Sequence, residues 1–457
     1  MAELSELRRI HLVGAGGAGM SALAKLLAGR GWLVTGSDVR SSAALAALGD
    51  IGIEVWTGHR PERMATVDLV VASSAVPEGD PELVAAATAG RPVWRRPRLL
   101  DALSRLQPTV GATGTHGKTS TTAMLVSALR AAGRDPSFVL GAEMSGLGTN
   151  AVVGTDDLLV LEVDEAFGTF EQVHLAGLVV TNVEADHLEH FGSVEALEDA
   201  FVRVARGVDG PVVACADDPG SRRVAERAEI PTYGTSGAAD YHMSELSPGV
   251  GRIGFRLTGP DLDVQVDVPR AGIHMARNAA GALVLAARIG ADPEAAARGV
   301  AEFQGVRRRY EHRGTVAGIT VVDDYAHHPT EVAATLRAAR ASHPGRVWAV
   351  FQPHLYSRTQ ALHREFGQAL ALADRVVVTD VYGAREDPIP GVTGELVAAA
   401  VERVGGAVDY VPHLADLAGF LADHLEAGDL VVTMGAGDVT VVPAALLSKL
   451  AERAGDG

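Results

Sequence analysis

The stretch that decides how this chain is read is "TVGATGTHGKTSTTAMLVSALRAAG", residues 109–133. It passes from an apolar segment, "LQPTV", expected as a strand, through a glycine-rich turn into a run of helical texture. A strand, a glycine turn and a helix N-terminus in that order present backbone N–H groups and a positive dipole end to phosphate oxygens. Against the template G-x-x-x-x-G-K-[ST], Gly117, Lys118 and Thr119 fit, whereas the first glycine position holds Ala112. In that frame Lys118 reaches the β- and γ-phosphates of ATP and the Thr119 hydroxyl ligates Mg2+, with Gly114, Thr115, His116 and Ser120 completing the loop. The bland alternative is a glycine turn beside a surface lysine.

Phosphoryl chemistry also needs oxygen ligands for Mg2+ and cations around the transferred group. Two segments downstream supply candidates at strand ends. "LLVLEVDE" closes with Glu162, Asp164 and Glu165; "LVVTNVEADH" closes with Asn182, Glu184, Asp186 and His187. Acidic residues at strand ends serve equally well as solvated loop entries or helix caps.

A second glycine loop lies about a hundred residues upstream. Gly14 to Gly19, "GAGGAG", satisfies G-x-G-x-x-G between an apolar strand and a helix, and Asp38 lies 19 residues beyond Gly19. The motif alone suggests a dinucleotide such as NAD. Its physical content is narrower: the loop lets a pyrophosphate approach a helix N-terminus, and a sugar nucleotide carries one too.

Around these loops, Val/Leu-rich runs alternate with helical stretches in three series. The first runs from "IHLVGAGGAGM" to "RPVWRR", the second from the ATP-type loop to a helix at about 275–289, and the third from "ITVVDDYAHHP" to "DLVVTMGAG". This is the pattern of parallel strands with crossover helices, so the expected class is α/β. Residues 233–270 break it with an alternating, turn-rich texture that suggests a small antiparallel insertion. At 457 residues the chain exceeds one hydrophobic core. Three domains are expected, 1–107, 108–313 and 314–457, with Rossmann-like first and last parts and a P-loop ATPase-like, mostly parallel sheet in the middle. The turn "GAGDVT", Gly435 to Thr440, reads as part of the third.

Apolar residues make up 47% and charged residues 21%, the balance of a folded globular protein. A formal net charge of -17 argues against a nucleic-acid partner, which would demand basic surface. The start "MAELSELRRI" has no signal-peptide core, and no run approaches a membrane span. A cytoplasmic protein is expected, monomer or homodimer, with its single cysteine, Cys215, as a buried small hydrophobe.

Taken together, "GAGGAGMS", "TGTHGKTSTT", "TNVEADH", "GVRRRYE", "VDDYAHHPTEV" and "FQPHLYSRT" occur in an order and spread, residues 14 to 359, that resembles the Mur ligase family. "GGAGMS" and "DDYAHHPTEV" favour its alanine-adding branch. The resemblance implies an ATP- and Mg2+-dependent ligase that phosphorylates the lactyl carboxylate of UDP-N-acetylmuramate and lets L-alanine attack the acyl phosphate. It implies a UDP-sugar domain, a central ATPase and a mobile amino-acid domain. It keeps Lys118 and Thr119 in their roles and adds Glu162 and His187 at the metal. Asn182 and Asn278 would lie near adenine, although "HMARN" has Met275 and Arg277 where an asparagine after histidine is common.

The resemblance further implies that Arg309 and Asp324 lie around the ATP phosphates and ribose. On composition alone, Arg307 to Arg309 would be a solvated basic face. Tyr325, His327, His354 and Arg358 are implied to hold the amino acid, with Leu355 standing where relatives often carry arginine. His327 is either the acceptor of the ammonium proton or a helix-capping or packing histidine, while His328 and Pro329 read as a structural helix start. Gly16, Gly17, Gly19, Ser21, Asp38, Ser73 and Ser74 are implied on the UDP side. His116, by its position inside the ATP-type loop, is a candidate neighbour of the reacting carboxylate. Three other readings remain: an NAD(P)-dependent oxidoreductase built on the first loop, a nucleotide-switched regulator, and a sibling ligase that adds a preformed tripeptide.

Overall fold

A computed structural model describes residues 3–455 apart from His187 and Arg385. The strands at its centre, Leu69–Ala72, Thr109–Thr113, Gly177–Val180, Val347–Phe351 and Leu430–Met434, are buried along their whole length. Strands covered on both faces read as near-continuous apolar runs rather than alternations, as "LVVA", "GLVV" and "VWAVF" do here.

Three sheets result. The first contains β1 (Arg9–Val13), β2 (Leu33–Asp38), β3 (Glu54–Thr57), β4 (Leu69–Ala72) and β5 (Val93–Arg95), in the order β3-β2-β1-β4-β5 with every pairing parallel. The chain leaves β1 toward β2 on one side and returns as β4 on the other. That reversal opens a crevice at the carboxyl end of β1, where the Gly14 to Gly19 loop sits.

The second sheet contains β6 (Thr109–Thr113), β7 (Ser137–Met144), β8 (Thr149–Val152), β9 (Leu159–Glu162), β10 (Gly177–Val180), β11 (Val212–Cys215), β12 (Thr232–Gly234), β13 (Tyr241–Gly249), β14 (Arg252–Gly259) and β15 (Leu262–Val268). Their order is β15-β14-β13-β12-β11-β10-β6-β9-β7-β8. Here β6 lies between β9 and β10, parallel to both, so the loop after β6 opens at a second switch point. The strand starts at Thr109 rather than at Leu106, because Pro108 has no N–H to give the ladder. The alternating stretch at 233–270 becomes β13 to β15, extending one edge of this sheet. Cys215 ends β11, and burial pushes its thiol up to about 11.

The third sheet contains β16 (Glu311–Val316), β17 (Ile319–Asp324), β18 (Val347–Phe351), β19 (Arg375–Val378), β20 (Val408–Tyr410) and β21 (Leu430–Met434), in the order β16-β17-β21-β18-β19-β20. Only β16 runs antiparallel to its neighbour among these pairings. The carboxyl ends of β17, β18 and β21 therefore share one edge, which gathers residues 325–328, 352–355 and 435–438.

The chain forms two compact units. One holds the chain up to Leu246 with Phe255–Asp267 and Ala276–Gln304; the other holds Ser247–Gly254, Val268–Met275 and the chain from Gly305 onward. Among the described residues no helix is long and apolar enough to cross a membrane.

Candidate active site

The loop after β6 is built on close approach. Position 112 lies inside β6 with its side chain buried, so an alanine fits there and the template's first glycine is not needed. The tight positions are Gly111, where a Cβ would come within 2.0 Å of Leu161 O, and Gly114, where it would come within 2.2 Å of Thr181 Oγ1. Gly114 also has φ +131° and Gly117 φ +82°, a region that favours glycine. Gly117 begins the helix Lys118–Ala131 with no side chain to cap it, leaving first-turn N–H groups for an anion.

Both expected asparagines flank this loop. Asn182 Oδ1 accepts the His116 N–H at 2.7 Å and Asn182 Nδ2 donates to His116 O at 2.9 Å, so its amide clamps the loop backbone. Thr181 Oγ1 donates to the same carbonyl at 2.6 Å. Asn278 lies against Gly117, where an added Cβ would come within 2.7 Å of its Oδ1. The His116 ring reaches Glu184, Nε2 to Oε2 3.6 Å. Thr115 is buried in the loop and Ser120 in the first turn of the helix.

Lys118 Nζ donates to Gly114 O at 2.8 Å, Thr115 O at 3.3 Å, and Glu165 Oε1 and Oε2 at 3.0 and 2.8 Å. Burial alone would push its ammonium toward the neutral form. The carboxylates of Glu165 and Asp164 outweigh that and hold it above its ordinary range. Glu165 was legible only as one of several acidic strand-end residues; its pairing with Lys118 needed the fold.

Thr119 Oγ1 donates to Glu162 Oε1 at 2.9 Å, and the Gly141 N–H donates to Glu162 Oε2 at 2.6 Å. A hydroxyl and a carboxylate converging beside a phosphate-type loop form a hard oxygen donor set of the kind Mg2+ requires. The residues present fit that ion. His187, the other expected metal residue, lies outside the described residues.

At the loop after β1, the Gly16 N–H donates to Asp38 Oδ2 at 3.0 Å, and Asp38 Oδ1 accepts from the Arg40 N–H at 3.1 Å. A Cβ on Gly16 would meet Asp38 Oδ2 and Ser42 Oγ, each at 2.8 Å. Gly17 is exposed and uncapped at the start of the helix Ala18–Gly29. Ser21 is buried and donates to Ala18 O at 3.0 Å, within its own helix. Ser73 packs against Gly14 and accepts the Ala75 N–H at 3.3 Å, while Ser74 is exposed. The sequence reading missed Arg96, whose guanidinium carbon would lie 3.2 Å from a Cβ on Gly19. No motif announces it, since Arg96 lies 77 residues beyond Gly19 and is brought there by the sheet.

The second unit gathers its own cluster at the shared strand edge. His327 Nδ1 lies 3.0 Å from Tyr325 O and 3.3 Å from Glu331 Oε2, and its ring stands 5.8 Å from that of His354. Burial pushes the imidazole down to about 4; Glu331 opposes this, and Arg358 and His354 add to it. The ring is therefore neutral near pH 7. His328 is the N-cap of the helix Pro329–Ser342 in a capping box with Glu331, which is the structural role expected of it.

The basic run is not a plain solvated face. Arg308 and Arg309 stack on the Tyr325 ring at 4.8 and 5.0 Å, and Arg308 donates to Gly435 O at 2.6 Å. Asp324 accepts the N–H groups of Tyr310 and Ala326, each at 2.7 Å, and burial pushes its carboxyl up to about 6. Leu355 takes φ +69° at the start of the helix Tyr356–Leu370. The "GAGDVT" turn packs on Gln352, whose Oε1 accepts the Val439 N–H at 3.0 Å.

Three family models match in chain order: "Mur ligase family, catalytic domain" over residues 9–107, "Mur ligase middle domain" over 112–286, and "Mur ligase, glutamate ligase domain" over 308–437. Among curated relatives, a "UDP-N-acetylmuramate--L-alanine ligase" of Kineococcus radiotolerans is 47% identical over 98% of this chain and 98% of its own length. One of the same name from Saccharopolyspora erythraea is 46% identical over 98% and 94%. The solved structure of UDP-N-acetylmuramate-alanine ligase from Thermotoga maritima superposes with TM-score 0.84 at 27% identity, covering 97% of this chain and 99% of that one. With family models spanning most of its length and relatives this similar from end to end, the chain belongs to the Mur ligase family.

Proposed function

We propose that this protein joins L-alanine to the lactyl carboxylate of UDP-N-acetylmuramate at the expense of ATP, releasing ADP and phosphate, in the cytoplasmic synthesis of peptidoglycan precursors. The observation that carries it is the convergence of Lys118, Thr119 and Glu162 at the mouth of an uncapped helix. The relatives' shared name supplies the acceptor and the amine. The division into 1–107, 108–313 and 314–457 assigns the UDP-sugar, ATP and amino-acid roles to successive parts.

A carboxylate is a poor electrophile, and phosphorylation supplies it with a leaving group. A carboxylate oxygen attacks the γ-phosphorus, the bond to the β-phosphate oxygen breaks, and ADP leaves. The amine, having lost a proton from its ammonium form, attacks the acyl carbon; the C–O bond to phosphate breaks, and the amine's second proton leaves with hydrogen phosphate. Mg2+, held by Thr119, Glu162 and His187, would neutralise phosphate charge. Lys118 cradles the β- and γ-phosphates within the binding stretch Gly114, Thr115, His116, Gly117, Lys118, Thr119 and Ser120, where the N–H groups of the uncapped helix start face them while those of Thr115 and His116 stay on Asn182. His116 lies next to the reacting carboxylate, with Asn182 and Asn278 on the adenine side and Arg309 and Asp324 around the phosphates and ribose. Gly16, Gly17, Gly19, Ser21, Asp38, Ser73 and Ser74 hold the UDP portion. Tyr325, His354 and Arg358 hold alanine, and His327 accepts the ammonium proton.

Phosphate release tests the reading. It is expected to require UDP-N-acetylmuramate and L-alanine together and to vanish in Lys118→Ala. Release supported by a tripeptide but not by alanine assigns the sibling reaction instead. A nicotinamide absorbance change without phosphate release overturns the ligase.

A further inference from the structure

An ammonium group carries three protons. Four oxygens within 3.3 Å compete for those of Lys118: Gly114 O, Thr115 O and both carboxylate oxygens of Glu165. The side chains of Lys118 and Glu165 are 14% and 2% exposed. Every proton that a phosphate would need is therefore already shared among protein oxygens, and the strongest acceptor among them is Glu165. A charged carboxylate accepting both bonds of a short fork outcompetes a neutral carbonyl.

The position of Glu165 is fixed by its backbone. It precedes the 3-10 turn Ala166–Gln172, and its carbonyl accepts the Gly168 N–H at 3.0 Å. The neighbouring Asp164 stands farther off, 3.7 Å from Nζ, and is 31% exposed. A buried ammonium left without an anion is strongly unfavourable, so a loop that must wait for its ligand needs a substitute charge.

We propose that Glu165 is a built-in phosphate stand-in: it holds Lys118 in the nucleotide-free chain and must release it when the phosphates arrive, so that it sets which phosphate ligands the loop admits. The proposal rests on the ATP reading of this loop. A lone phosphate brings too few contacts to offset the broken ion pair. A magnesium-bound diphosphate or triphosphate adds the helix N-terminus and the Thr119 and Glu162 oxygens. Glu165 thus filters for nucleotide di- and triphosphates against AMP and inorganic phosphate, at the cost of some affinity for all of them.

The test is titration calorimetry on the full chain with ADP plus Mg2+, AMP and inorganic phosphate as probes. Glu165→Gln is expected to bind ADP about tenfold or more tighter and to gain measurable affinity for AMP and phosphate. Asp164→Asn, which removes an equal charge without touching the fork, is expected to change ADP affinity less than about threefold. The melting temperature of Glu165→Gln is expected below the parent's without ligand, with the gap closing in saturating ADP. Unchanged or weaker ADP binding by Glu165→Gln overturns the stand-in, as does an equal gain in Asp164→Asn. Should Glu165→Gln not fold, Glu165→Asp keeps the charge on a shorter stem and is expected to bind ADP about threefold tighter; no gain there overturns the proposal equally. Lys118→Ala separates the two levels: parent-like ADP binding in that variant overturns the ATP reading and the stand-in with it. Lost binding in Lys118→Ala with an unchanged Glu165→Gln overturns the stand-in alone.

Discussion

Thr119 and Glu162 meet through a 2.9 Å hydrogen bond, and the second oxygen of the carboxylate is pinned by the Gly141 N–H at 2.6 Å. The pair is thus oriented by protein groups alone, with β9 and β7 fixing the acid and the helix start fixing the alcohol. Glu162→Gln keeps the shape and removes the charge. The Mg2+ concentration that half-saturates phosphate release is expected to rise roughly 10- to 100-fold. A magnesium dependence that does not move removes Glu162 from the metal.

Gly114 and Gly31 both have positive φ, +131° and +92°, but differ in surroundings. A Cβ on Gly114 runs into Thr181 and Asn182, whereas one on Gly31 meets nothing within 4 Å. Gly31→Ala is expected to cost about 1 kcal/mol from backbone strain alone. Gly114→Ala adds overpacking and is expected to cost about 3 kcal/mol. Urea denaturation of the two variants side by side checks the difference, and equal losses contradict it.

Arg96 sits over Gly19 at the start of the helix that follows the loop after β1, where the proposed function places the UDP portion. A guanidinium there matches a pyrophosphate in charge and geometry. Arg96→Ala is expected to raise the KM for UDP-N-acetylmuramate about tenfold while leaving ADP affinity unchanged. An unchanged KM assigns Arg96 to packing.

His327 is held neutral, with Nδ1 facing Tyr325 O and Glu331. A proton on Nδ1 donates to that carbonyl, which leaves Nε2 as the basic nitrogen. His327→Gln at saturating alanine is expected to lower kcat by roughly 10²- to 10⁴-fold. Turnover close to the parent's at every alanine concentration returns His327 to a packing role.

His327 and Asp324 tilt stability with pH in opposite directions. The imidazole titrates at about 4 when folded, below its ordinary value of 6.5. Between those values the unfolded chain binds the extra proton, so this group adds stability as pH rises. The Asp324 carboxyl titrates at about 6 when folded, above 3.8. Over that interval the folded chain binds the extra proton, so this group removes stability as pH rises. Asp324→Asn is therefore expected to gain stability relative to the parent between about pH 4 and 6. His327→Gln is expected to lose relative stability over the same rise. Melting temperatures at both ends of the interval check the signs, and a shift of the same sign in both variants contradicts the assignment.

Much of the architecture is visible in one dimension, because strands buried on both faces must be apolar throughout and loops that bind phosphate must be glycine-rich. "DLVVA" announced β4 for the first reason, and Gly114 and Gly117 announced the turn after β6 through the second. The helix start at Pro329 was equally legible, since proline is preorganised for a first turn, whereas the cap that His328 makes with Glu331 was not. The expected strand at "LQPTV" began three residues late, and the antiparallel insertion became an extension of the central sheet's edge, because pairing partners are not written in a local pattern.

The sequence by itself determined the strand and helix alternation, the glycine turns that join a strand to a helix in two places, and the family to which their combination belongs. Each of these depends on residue type and short spacing. Only the tertiary structure decided that Glu165 grips Lys118, that Arg96 covers Gly19, and that Asn182 spends its amide on the loop backbone. Those partners are 47, 77 and 66 residues apart, brought together by strand order, and strand order is set by packing across whole sheets rather than by any local stretch.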